Sequence, residues 1–525
     1  MFTLLFLFLS NLLLVFLFPG VFAAFGVTTS GSNLLVDSGA GLVTTINTAN
    51  GDITSMVFNG MQLQDSTKFT QLSSGLGSAN VSHQVTNYTA IITTKTNTIT
   101  HYYIVKSGIN TLYIGTHASA EPTVGELRFI ARLSKATVPN GFLVSEVNGG
   151  TAIEGSDVFL LDGQTRSKFY SSVRFIEDQV HGVGGPGVGV FMIIPGVGYE
   201  TSSGGPFFRD INNQGTAQQE LYFYMNSNHE QTETFRTGFF GPYAMAVTTG
   251  AAPSPSLDTS FMENLGLEGY VPASDRGTVS GHYSGILSGQ PVTIGFKNSA
   301  AQYWATGSGG YFTRDMMKPG TYAVTLFQGE IEAGNGTVLV TAGQTSSITL
   351  SSSLDTPAVI WAIGTVDGTP AGFLNAENIQ TMHPSDTRMS DWGPTTFTMG
   401  YSPVASFPMA QFQRVNNPTT IQWTASSNQI GARTLRIRTT ESFAGGRPQI
   451  SVNNWNSSTP AAPIKVDSRG VTRGTWRGLN QFYDFAIPTN TLVAGSNVIA
   501  INVISGSSGE GFLSPNFVYD SVELF

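Results

Sequence analysis

The sequence contains no cysteine and is poor in charged residues. Asp, Glu, Lys and Arg together make up 11% of its 525 residues, and only eight residues are lysines. The absence of thiols excludes a cysteine nucleophile, a zinc–thiolate site and any disulfide. The scarcity of Lys and Glu argues against long solvated helices, whose exposed faces need charged helix-forming residues.

The charge that is present is unbalanced, and the common catalytic motifs are missing. A net charge of −9 argues against general binding to nucleic acid or to an anionic membrane. An anionic substrate would therefore have to meet a local positive patch. No HExxH, Walker or GxSxG motif occurs, and the seven histidines are scattered without the spacing of metal ligands.

What the sequence does contain is a succession of short β-rich segments separated by turns. Sixty glycines and abundant Thr, Ser and Asn accompany these segments, which predicts an all-β chain. Residues 25–250 predict a large antiparallel β-sandwich, residues 261–352 a seven-stranded sandwich, and residues 358–525 a jelly roll. The segments "TTGAAPSPSLDTS" and "SSSLDTP" indicate the linkers between them.

The N-terminus resembles a targeting signal. Residues 1–24 combine a long apolar run with Pro19-Gly20 and small residues before Phe25, which predicts a secretory signal peptide and an extracellular protein. The run is also long enough for a transmembrane span, which is the alternative. Four Asn-x-Ser/Thr triplets agree with secretion, and they predict glycosylation at Asn80, Asn87, Asn335 and Asn456.

Cationic and aromatic residues concentrate in the first region. The segment "TRSKFYSSVRF", residues 165–175, holds two arginines and a lysine beside three aromatic residues and no acidic residue. In "LRFIAR", Arg128 and Arg132 would share one face of a strand with Ile130, about 13 Å apart, with Leu127, Phe129 and Ala131 on the other face. Tyr222 and Tyr224 of "LYFYMN" would share a face for the same reason.

This set of groups suits β-elimination from an acidic polysaccharide. Arginines can neutralise the carboxylate whose charge grows as the neighbouring proton leaves. A lysine among cations can have a lowered pKa and act as the base, while a histidine or tyrosine protonates the leaving oxygen. A calcium-dependent version would need clustered carboxylates, and none stand out. We therefore expect no cofactor for catalysis and no metal site, and a structural calcium ion in the C-terminal region stays an open alternative.

The ordered motifs of the chain are similar to those of a known family. Segments such as "GELRFIARL", "TAIEGSDVFL", "TRSKFYSS", "YMNSNHEQTE", "MKPGTY" and "MHPSDTRMSDWGP" resemble the fungal rhamnogalacturonan lyases of polysaccharide lyase family four. The resemblance spans essentially the whole chain after residue 24. It implies a mutarotase-like supersandwich, a fibronectin-III-like middle domain and a carbohydrate-binding-like jelly roll. Relatives carry cysteine pairs that this chain lacks, so no disulfide is carried over.

The resemblance also implies an enzymatic activity and the residues that carry it out. It implies a secreted endolyase that cleaves the rhamnogalacturonan I backbone of pectin by β-elimination at the rhamnose-α-1,4-galacturonate bond, leaving an unsaturated galacturonate at the non-reducing end. The matching motifs make Lys168 the catalytic base and His229 the catalytic acid. We expect a monomer with no nucleic-acid or membrane partner. The residues expected to bind substrate are Arg128, Arg132, Tyr222, Tyr224 and Glu154, the last by orienting a cation.

Other roles and other functions stay open for the same residues. The two arginines could simply pair with Glu121, Glu126 or Glu154, and the two tyrosines could be ordinary core aromatics. A glycoside hydrolase acting on the same polymer would use Glu154 with Asp157 or Asp210 as its carboxylate pair. A non-catalytic pectin-binding protein, or an epimerase or mutarotase acting on free sugars, are the further alternatives.

Overall fold

The protein is almost entirely β-structure. A computed structural model describes residues 24–525 except 124, 142–149, 155–157, 168–170, 216, 228–232 and 465–469, and except the side chains of 166 and 167. Within these ranges the regular elements are β-strands and five short 3₁₀ helices, namely Ser260–Asn264, Ala273–Asp275, Val404–Ser406, Val471–Arg473 and Gly511–Leu513, so the predicted all-β class is confirmed. In the same ranges, no helix is long and apolar enough to cross a membrane.

The described residues of the first region, up to residue 248, form four sheets. Its strands are β1 Gly26–Ser30, β2 Asn33–Asp37, β3 Leu42–Asn47, β4 Ile53–Phe58, β5 Met61–Gln62, β6 Gln71–Leu72, β7 Asn80–Val85, β8 Thr89–Lys95, β9 Ile99–Lys106, β10 Thr111–Ala118, β11 Leu127–Leu133, β12 Thr151–Glu154, β13 Val158–Leu161, β14 Gln164–Ser167, β15 Val180–Gly185, β16 Val188–Ile193, β17 Asn213–Gly215, β18 Gln219–Asn226 and β19 Gly238–Thr248. The sheet orders are β1-β2-β3-β4-β5, β15-β16-β19-β10-β9-β8-β7, β17-β18-β11-β6 and β12-β13-β14.

Local sequence explains the central hairpins of this region. Strands β8, β9 and β10 are rich in Ile, Thr and Tyr, the β-branched and aromatic residues that favour a pleated sheet. The turn between β9 and β10 contains Gly108, whose φ of 82° is unfavourable for residues with a Cβ. The three strands pair in the order of the chain.

The core of the first region lies between the seven-stranded sheet and the sheet that contains β11 and β18. Phe129 of β11 packs against Tyr103 and Tyr243, with ring centroids 6.3 and 5.9 Å apart. Phe223 of β18 contacts Tyr243 at 4.7 Å, and all four rings are buried. Side chains alternate in direction along a strand. The residues next to these inward rings in β11 and β18 therefore point to the opposite face of the sheet.

The middle region is a sandwich of two sheets, with seven strands. They are β20 Gly277–Ser284, β21 Val292–Lys297, β22 Gln302–Gly307, β23 Tyr311–Met317, β24 Gly320–Gln328, β25 Ile331–Val340 and β26 Thr345–Ser351. The sheet orders are β23-β20-β26 and β22-β21-β24-β25, with β20 and β26 parallel. A separate core that includes Ile294, Phe296 and Tyr322 fills the space between the sheets.

The C-terminal region is a second sandwich, with five strands in each sheet. Its strands are β27 Trp361–Gly364, β28 Thr396–Thr398, β29 Ala410–Phe412, β30 Thr419–Ala425, β31 Arg433–Phe443, β32 Arg447–Val452, β33 Trp455–Asn456, β34 Gln481–Ile487, β35 Gly495–Ile504 and β36 Asn516–Leu524. One sheet has the order β27-β36-β31-β34 with β29 also on β36, and the other has the order β28-β30-β35-β32-β33.

Buried ion pairs join the three regions. Glu200 of the first region accepts two hydrogen bonds from Arg276, at 2.7 and 3.1 Å, where the middle region begins. Glu330 of the middle region accepts hydrogen bonds from Arg174 of the first region at 2.9 Å and from Arg477 of the C-terminal region at 2.7 Å. Glu200 and Glu330 are thus each bound by an arginine of a neighbouring region.

All four asparagines of the predicted glycosylation sites are exposed. Asn80 begins β7, Asn87 lies between β7 and β8, Asn335 lies in β25 and Asn456 in β33. Exposure is what attachment of a glycan requires, and glycosylation itself stays a prediction.

Candidate active site

Strands β11 and β18 build the candidate site on the face that points away from the aromatic core. They pair antiparallel, with Arg128 opposite Tyr224 and Arg132 opposite Glu220. Leu127, Phe129 and Ala131 belong to the core, so their predicted opposition to the two arginines along β11 is confirmed. We refer to the face opposite this core as the arginine–tyrosine face, which consists of Arg128, Ile130, Arg132, Glu220, Tyr222 and Tyr224 and in which both tyrosines are buried.

Arg128 lies at the centre of the hydrogen bonds and ring contacts of this face. Its Nη1 donates to the Tyr224 hydroxyl at 2.7 Å and is 2.9 Å from Glu126 Oε1. Its Cζ is 5.5 Å from the ring centroid of Tyr224 and 5.9 Å from that of Tyr222, which are cation–π distances. The Nε of Arg128 is buried and has no hydrogen-bond partner among the described residues. The pairing with Glu126 that the sequence suggested is therefore present.

Arg132 is held by protein groups on the same face. Its Nε donates to Glu220 Oε1 at 3.2 Å, and its Nη1 donates to the Phe69 carbonyl at 3.2 Å. Glu220 also accepts a 2.6 Å hydrogen bond from the Tyr222 hydroxyl through its other oxygen. Glu220 thus bridges Arg132 and Tyr222, whereas the sequence suggested pairing with glutamates at other positions.

The two tyrosines form a stacked pair. The rings of Tyr222 and Tyr224 are 5.6 Å apart with an interplanar angle of 28°, on the opposite face of β18 from the core residue Phe223. Burial raises the pKa of both hydroxyls well above the usual value, with Glu220 adding to the effect at Tyr222 and Asp210 at Tyr224. Both hydroxyls therefore stay protonated and can donate hydrogen bonds.

A buried polar cluster supports β18 from its edge. His181 Nδ1 is 2.7 Å from Asp178 Oδ1, and His181 Nε2 is 2.6 Å from the carbonyl oxygen of Tyr222. Asp178 Oδ2 accepts hydrogen bonds from the Tyr199 hydroxyl at 2.9 Å and from Asn212 Nδ2 at 3.2 Å. No role for His181 was predicted from the sequence, and the signal that could have found it is the aspartate three residues earlier.

Glu154 faces the C-terminal region. It ends β12 and is buried, with Oε1 3.6 Å from Arg473 Nε and Oε2 3.8 Å from His383 Nε2. Both partners belong to the C-terminal region, which the sequence had not connected with this residue. The expectation that Glu154 contributes to substrate binding stays a prediction.

A second contact with the C-terminal region lies on the strand that leads to Lys168. Thr165 in β14 is buried, and its backbone N and Oγ1 are 2.9 and 3.1 Å from Asp386 Oδ2. The backbone N of His383 donates to Thr165 Oγ1 at 2.9 Å. Burial tends to raise the pKa of Asp386, but hydrogen bonds from Arg388 and Thr165 hold it well below the usual value.

Several predicted residues lie outside the described residues. These are the predicted base Lys168, the predicted acid His229, and Asp157 of the hydrolase alternative. Asp210, the other carboxylate of that alternative, is buried, and its Oδ1 accepts a hydrogen bond from the backbone N of Ile211 at 2.7 Å. In the part of the chain that the structure describes, no three His, Asp or Glu side chains form a set that could hold a metal ion.

Family models match the chain in three consecutive segments. The N-terminal model of rhamnogalacturonan lyase B matches residues 25–269. The models of domain II and domain III of polysaccharide lyase family 4 match residues 275–348 and 359–524. The three matches follow the order of the three folded regions.

Full-length relatives agree with these matches. The chain is 52% identical over 511 residues to a probable rhamnogalacturonate lyase A of Aspergillus fumigatus, covering 96% of both chains. It is 51% identical over 510 residues to rhamnogalacturonate lyase A of Aspergillus aculeatus and 50% identical over 510 residues to that of Emericella nidulans, again covering 96% of both chains. The chain therefore belongs to polysaccharide lyase family 4 and is a member of its rhamnogalacturonan lyases.

Proposed function

We propose that the protein is a secreted endolyase that cleaves the rhamnogalacturonan I backbone of pectin by β-elimination. In this reaction the C5–H and C4–O4 bonds of a galacturonate break, and a C4=C5 double bond forms. The proton from C5 goes to a base on the enzyme, and the O4 oxygen departs with the rhamnose and receives a proton from an acid. The product carries an unsaturated galacturonate at its non-reducing end.

The main support for the proposal comes from the hydrogen bonds of the Arg128 guanidinium. This guanidinium is fixed by the Tyr224 hydroxyl, yet its buried Nε has no partner among the described residues. Loss of the C5 proton moves negative charge onto the neighbouring carboxylate. A guanidinium held in place before the reaction stabilises that charge, and it can bind a carboxylate through more than one N–H. Arg128 supplies this fixed positive charge in a chain whose net charge is −9.

The remaining roles follow from the motifs and from the chemistry. Lys168 is the base and His229 the acid that protonates the leaving oxygen, because an amine and an imidazole can exchange protons near neutral pH when their surroundings tune them. Arg132 and the hydroxyls of the two tyrosines contact the sugar acid. Glu154 orients the cation beside it. No metal takes part, since arginine neutralises the carboxylate.

The proposal also includes the cellular location, the glycosylation and the oligomeric state of the enzyme. The apolar run within residues 1–24 and the four exposed sequon asparagines support an extracellular, glycosylated protein. A polymer too large to enter a cell requires an enzyme outside it. We propose a monomer, since each chain carries both arginines and both tyrosines of the face.

The proposal is tested with the purified protein on debranched rhamnogalacturonan I and on homogalacturonan. Two quantities are followed, the ultraviolet absorbance of the conjugated C4=C5 bond and the chain length of the polymer. We expect absorbance to rise and chain length to fall rapidly with rhamnogalacturonan I, and neither to change with homogalacturonan.

The same assay separates the alternatives. A glycoside hydrolase would shorten the polymer and release reducing ends without new absorbance. A pectin-binding protein would change neither quantity while still sedimenting with the polymer. An epimerase or mutarotase would act on free sugars and leave polymer length unchanged.

A further inference from the structure

Where strand β17 ends, a side chain replaces it as the hydrogen-bond partner of β18. Strand β17 pairs with β18 as far as Asn213 opposite Leu221. At the next residue the Tyr222 N–H still donates to the Asn212 carbonyl at 2.9 Å. The return bond of a regular antiparallel ladder would run from Asn212 N to the Tyr222 carbonyl. Asn212 N instead contacts Ser171 Oγ at 3.3 Å, which leaves the Tyr222 carbonyl to another donor.

That donor is His181, and its two nitrogens both face acceptors. Nε2 is 2.6 Å from the Tyr222 carbonyl oxygen, and Nδ1 is 2.7 Å from Asp178 Oδ1. The other oxygen of Asp178 accepts hydrogen bonds from Tyr199 and Asn212, which favours the ionised carboxylate. A carbonyl and a carboxylate cannot donate, so each ring nitrogen must carry a hydrogen, and the ring is an imidazolium.

The surroundings of the ring favour this charged state. The side chain of His181 is 11% exposed and that of Asp178 is 3% exposed. Burial alone would lower the pKa of His181, but the charge and hydrogen bond of Asp178 and the Tyr222 carbonyl outweigh it and raise the pKa. Asp178 lies in the turn before β15. The described groups that contact the His181–Asp178 pair are the Tyr199 hydroxyl from the loop after β16, the Asn212 amide and the Tyr222 carbonyl of β18.

The position of this imidazolium bears directly on the arginine–tyrosine face. The carbonyl it binds belongs to Tyr222, whose ring stacks on Tyr224, which in turn binds Arg128. We infer that His181 is a positioning residue: as an imidazolium it donates from both nitrogens, replaces the missing ladder bond, and fixes the stretch of β18 that presents the two tyrosines and, through them, Arg128. Its effect on catalysis rests on the proposed lyase function, whereas its protonation state does not.

The protonation state is tested by ¹⁵N spectroscopy of the intact protein labelled at histidine. The His181 signals are assigned by their loss in His181→Phe, or in Asp178→Asn/His181→Phe if the single variant does not fold. We expect both ring nitrogens of His181 to be protonated at about pH 7, where most of an unperturbed imidazole is neutral. One protonated nitrogen at neutral pH would overturn the inference, whatever the activity of the enzyme.

The positioning role is tested by comparing two variants that both lack the buried carboxylate charge. In Asp178→Asn the amide can donate to Nδ1, and a neutral His181 can still donate from Nε2 to Tyr222. In Asp178→Asn/His181→Phe that donor is gone. Relative to Asp178→Asn, we expect the double variant to raise KM for the polymer about tenfold, with a smaller change in kcat, because misplaced binding groups weaken binding of substrate and transition state alike.

The possible results distinguish a positioning role of His181 from a role in folding alone. They also distinguish failure of this inference from failure of the lyase proposal. A role in folding alone would reduce the amount of active enzyme, so apparent kcat would fall while KM stayed at the value of Asp178→Asn, and this would overturn the positioning role. If the wild-type protein produces no unsaturated product, the lyase proposal fails, and the ¹⁵N spectrum still decides whether His181 is the double donor.

Discussion

Asp386 of the C-terminal region accepts two hydrogen bonds from Thr165, a residue of the first region that lies 221 positions earlier in the chain. Thr165 is buried in β14, the strand that ends at Ser167, immediately before Lys168. Arg388 holds the Asp386 carboxylate from the other side through Nε and Nη2, at 2.8 and 2.7 Å. The backbone that leads to the proposed base is therefore anchored on another region of the molecule.

Replacing Asp386 should weaken this anchor. Asp386→Ala removes the carboxylate oxygen that accepts from the buried Thr165 N–H and hydroxyl, which costs about 2 kcal/mol. We expect a lower thermal midpoint and a lower kcat, and both can be followed by calorimetry and the absorbance assay. Asp391→Ala, at an exposed carboxylate of the same segment, is the control and should change neither. An Asp386→Ala enzyme with the stability and kcat of the wild type would contradict this role.

Lys168→Arg should abolish turnover and retain binding of the polymer. A guanidinium stays protonated at all accessible pH values, so it keeps the positive charge and cannot accept the C5 proton. The absorbance assay measures turnover, and sedimentation with the polymer measures binding. Lys95→Arg, at an exposed lysine of β8, should behave like the wild type. Rates close to the wild type in Lys168→Arg would remove Lys168 from the role of base.

Arg128→Lys should reduce kcat/KM by roughly 10- to 100-fold. An ammonium cannot keep the 2.7 Å hydrogen bond to Tyr224 and also present a second N–H to a substrate carboxylate in the geometry of a guanidinium. The loss corresponds to about 1.4 to 2.8 kcal/mol of transition-state stabilisation. Steady-state kinetics on rhamnogalacturonan I measure it. Unchanged kinetics would mean that Arg128 serves only its ion pair with Glu126.

Removal of divalent metal should leave the rate unchanged. In the proposed mechanism arginine, and no calcium ion, offsets the charge on the substrate carboxylate. The measurement is the absorbance assay after dialysis against a chelator, with a calcium-dependent pectate lyase treated in parallel to prove that the metal was removed. Activity lost on dialysis and restored by calcium would contradict the arginine-based scheme.

The stability of the C-terminal region should fall as pH rises from about 4 to 7. Burial raises the pKa of Asp520 to about 7, although the backbone N–H groups of Asp367 and Gly368 donate to its Oδ1. An unfolded aspartate has a pKa of about 3.9, so between the two values the folded chain holds a proton that the unfolded chain has lost. Stability then decreases by about 1.4 kcal/mol per pH unit across this window.

The pH dependence of Asp520 is checked with an isosteric variant. Asp520→Asn keeps the oxygen that accepts from Asp367 and Gly368 but cannot titrate. Its thermal midpoint should therefore change less between about pH 4 and pH 7 than that of the wild type. Asp391→Asn, which removes an exposed carboxylate, is the control and should keep the wild-type slope. Equal slopes for all three proteins would rule out a raised pKa at Asp520.

Local periodicity was sufficient to predict which side chains share a face within each strand. Once β11 is recognised as a strand, Leu127, Phe129 and Ala131 select the core side, and Arg128 and Arg132 must then point the other way. The same rule places Tyr222 and Tyr224 together on β18. These features depend on neighbours within a few residues, which the sequence displays directly.

Contacts between distant segments could not be predicted in this way. The partner of Arg132 is Glu220, fixed by the register of β11 against β18, and register is a property of the assembled sheet. Glu154 meets Arg473 and His383 because two separately folded regions dock, and no periodicity within either region encodes that docking. For the same reason "MHPSDTR" was recognisable as a family motif without any indication that it contacts Thr165.

The anchor between Asp386 and Thr165 also limits how this enzyme can be engineered. A chimera that combined residues 25–250 with the C-terminal region of an unrelated protein would keep both arginines and both tyrosines, but the backbone before Lys168 would lose its acceptors. Swapping modules between lyases of this family would therefore require the two docking surfaces to be transferred as a matched set.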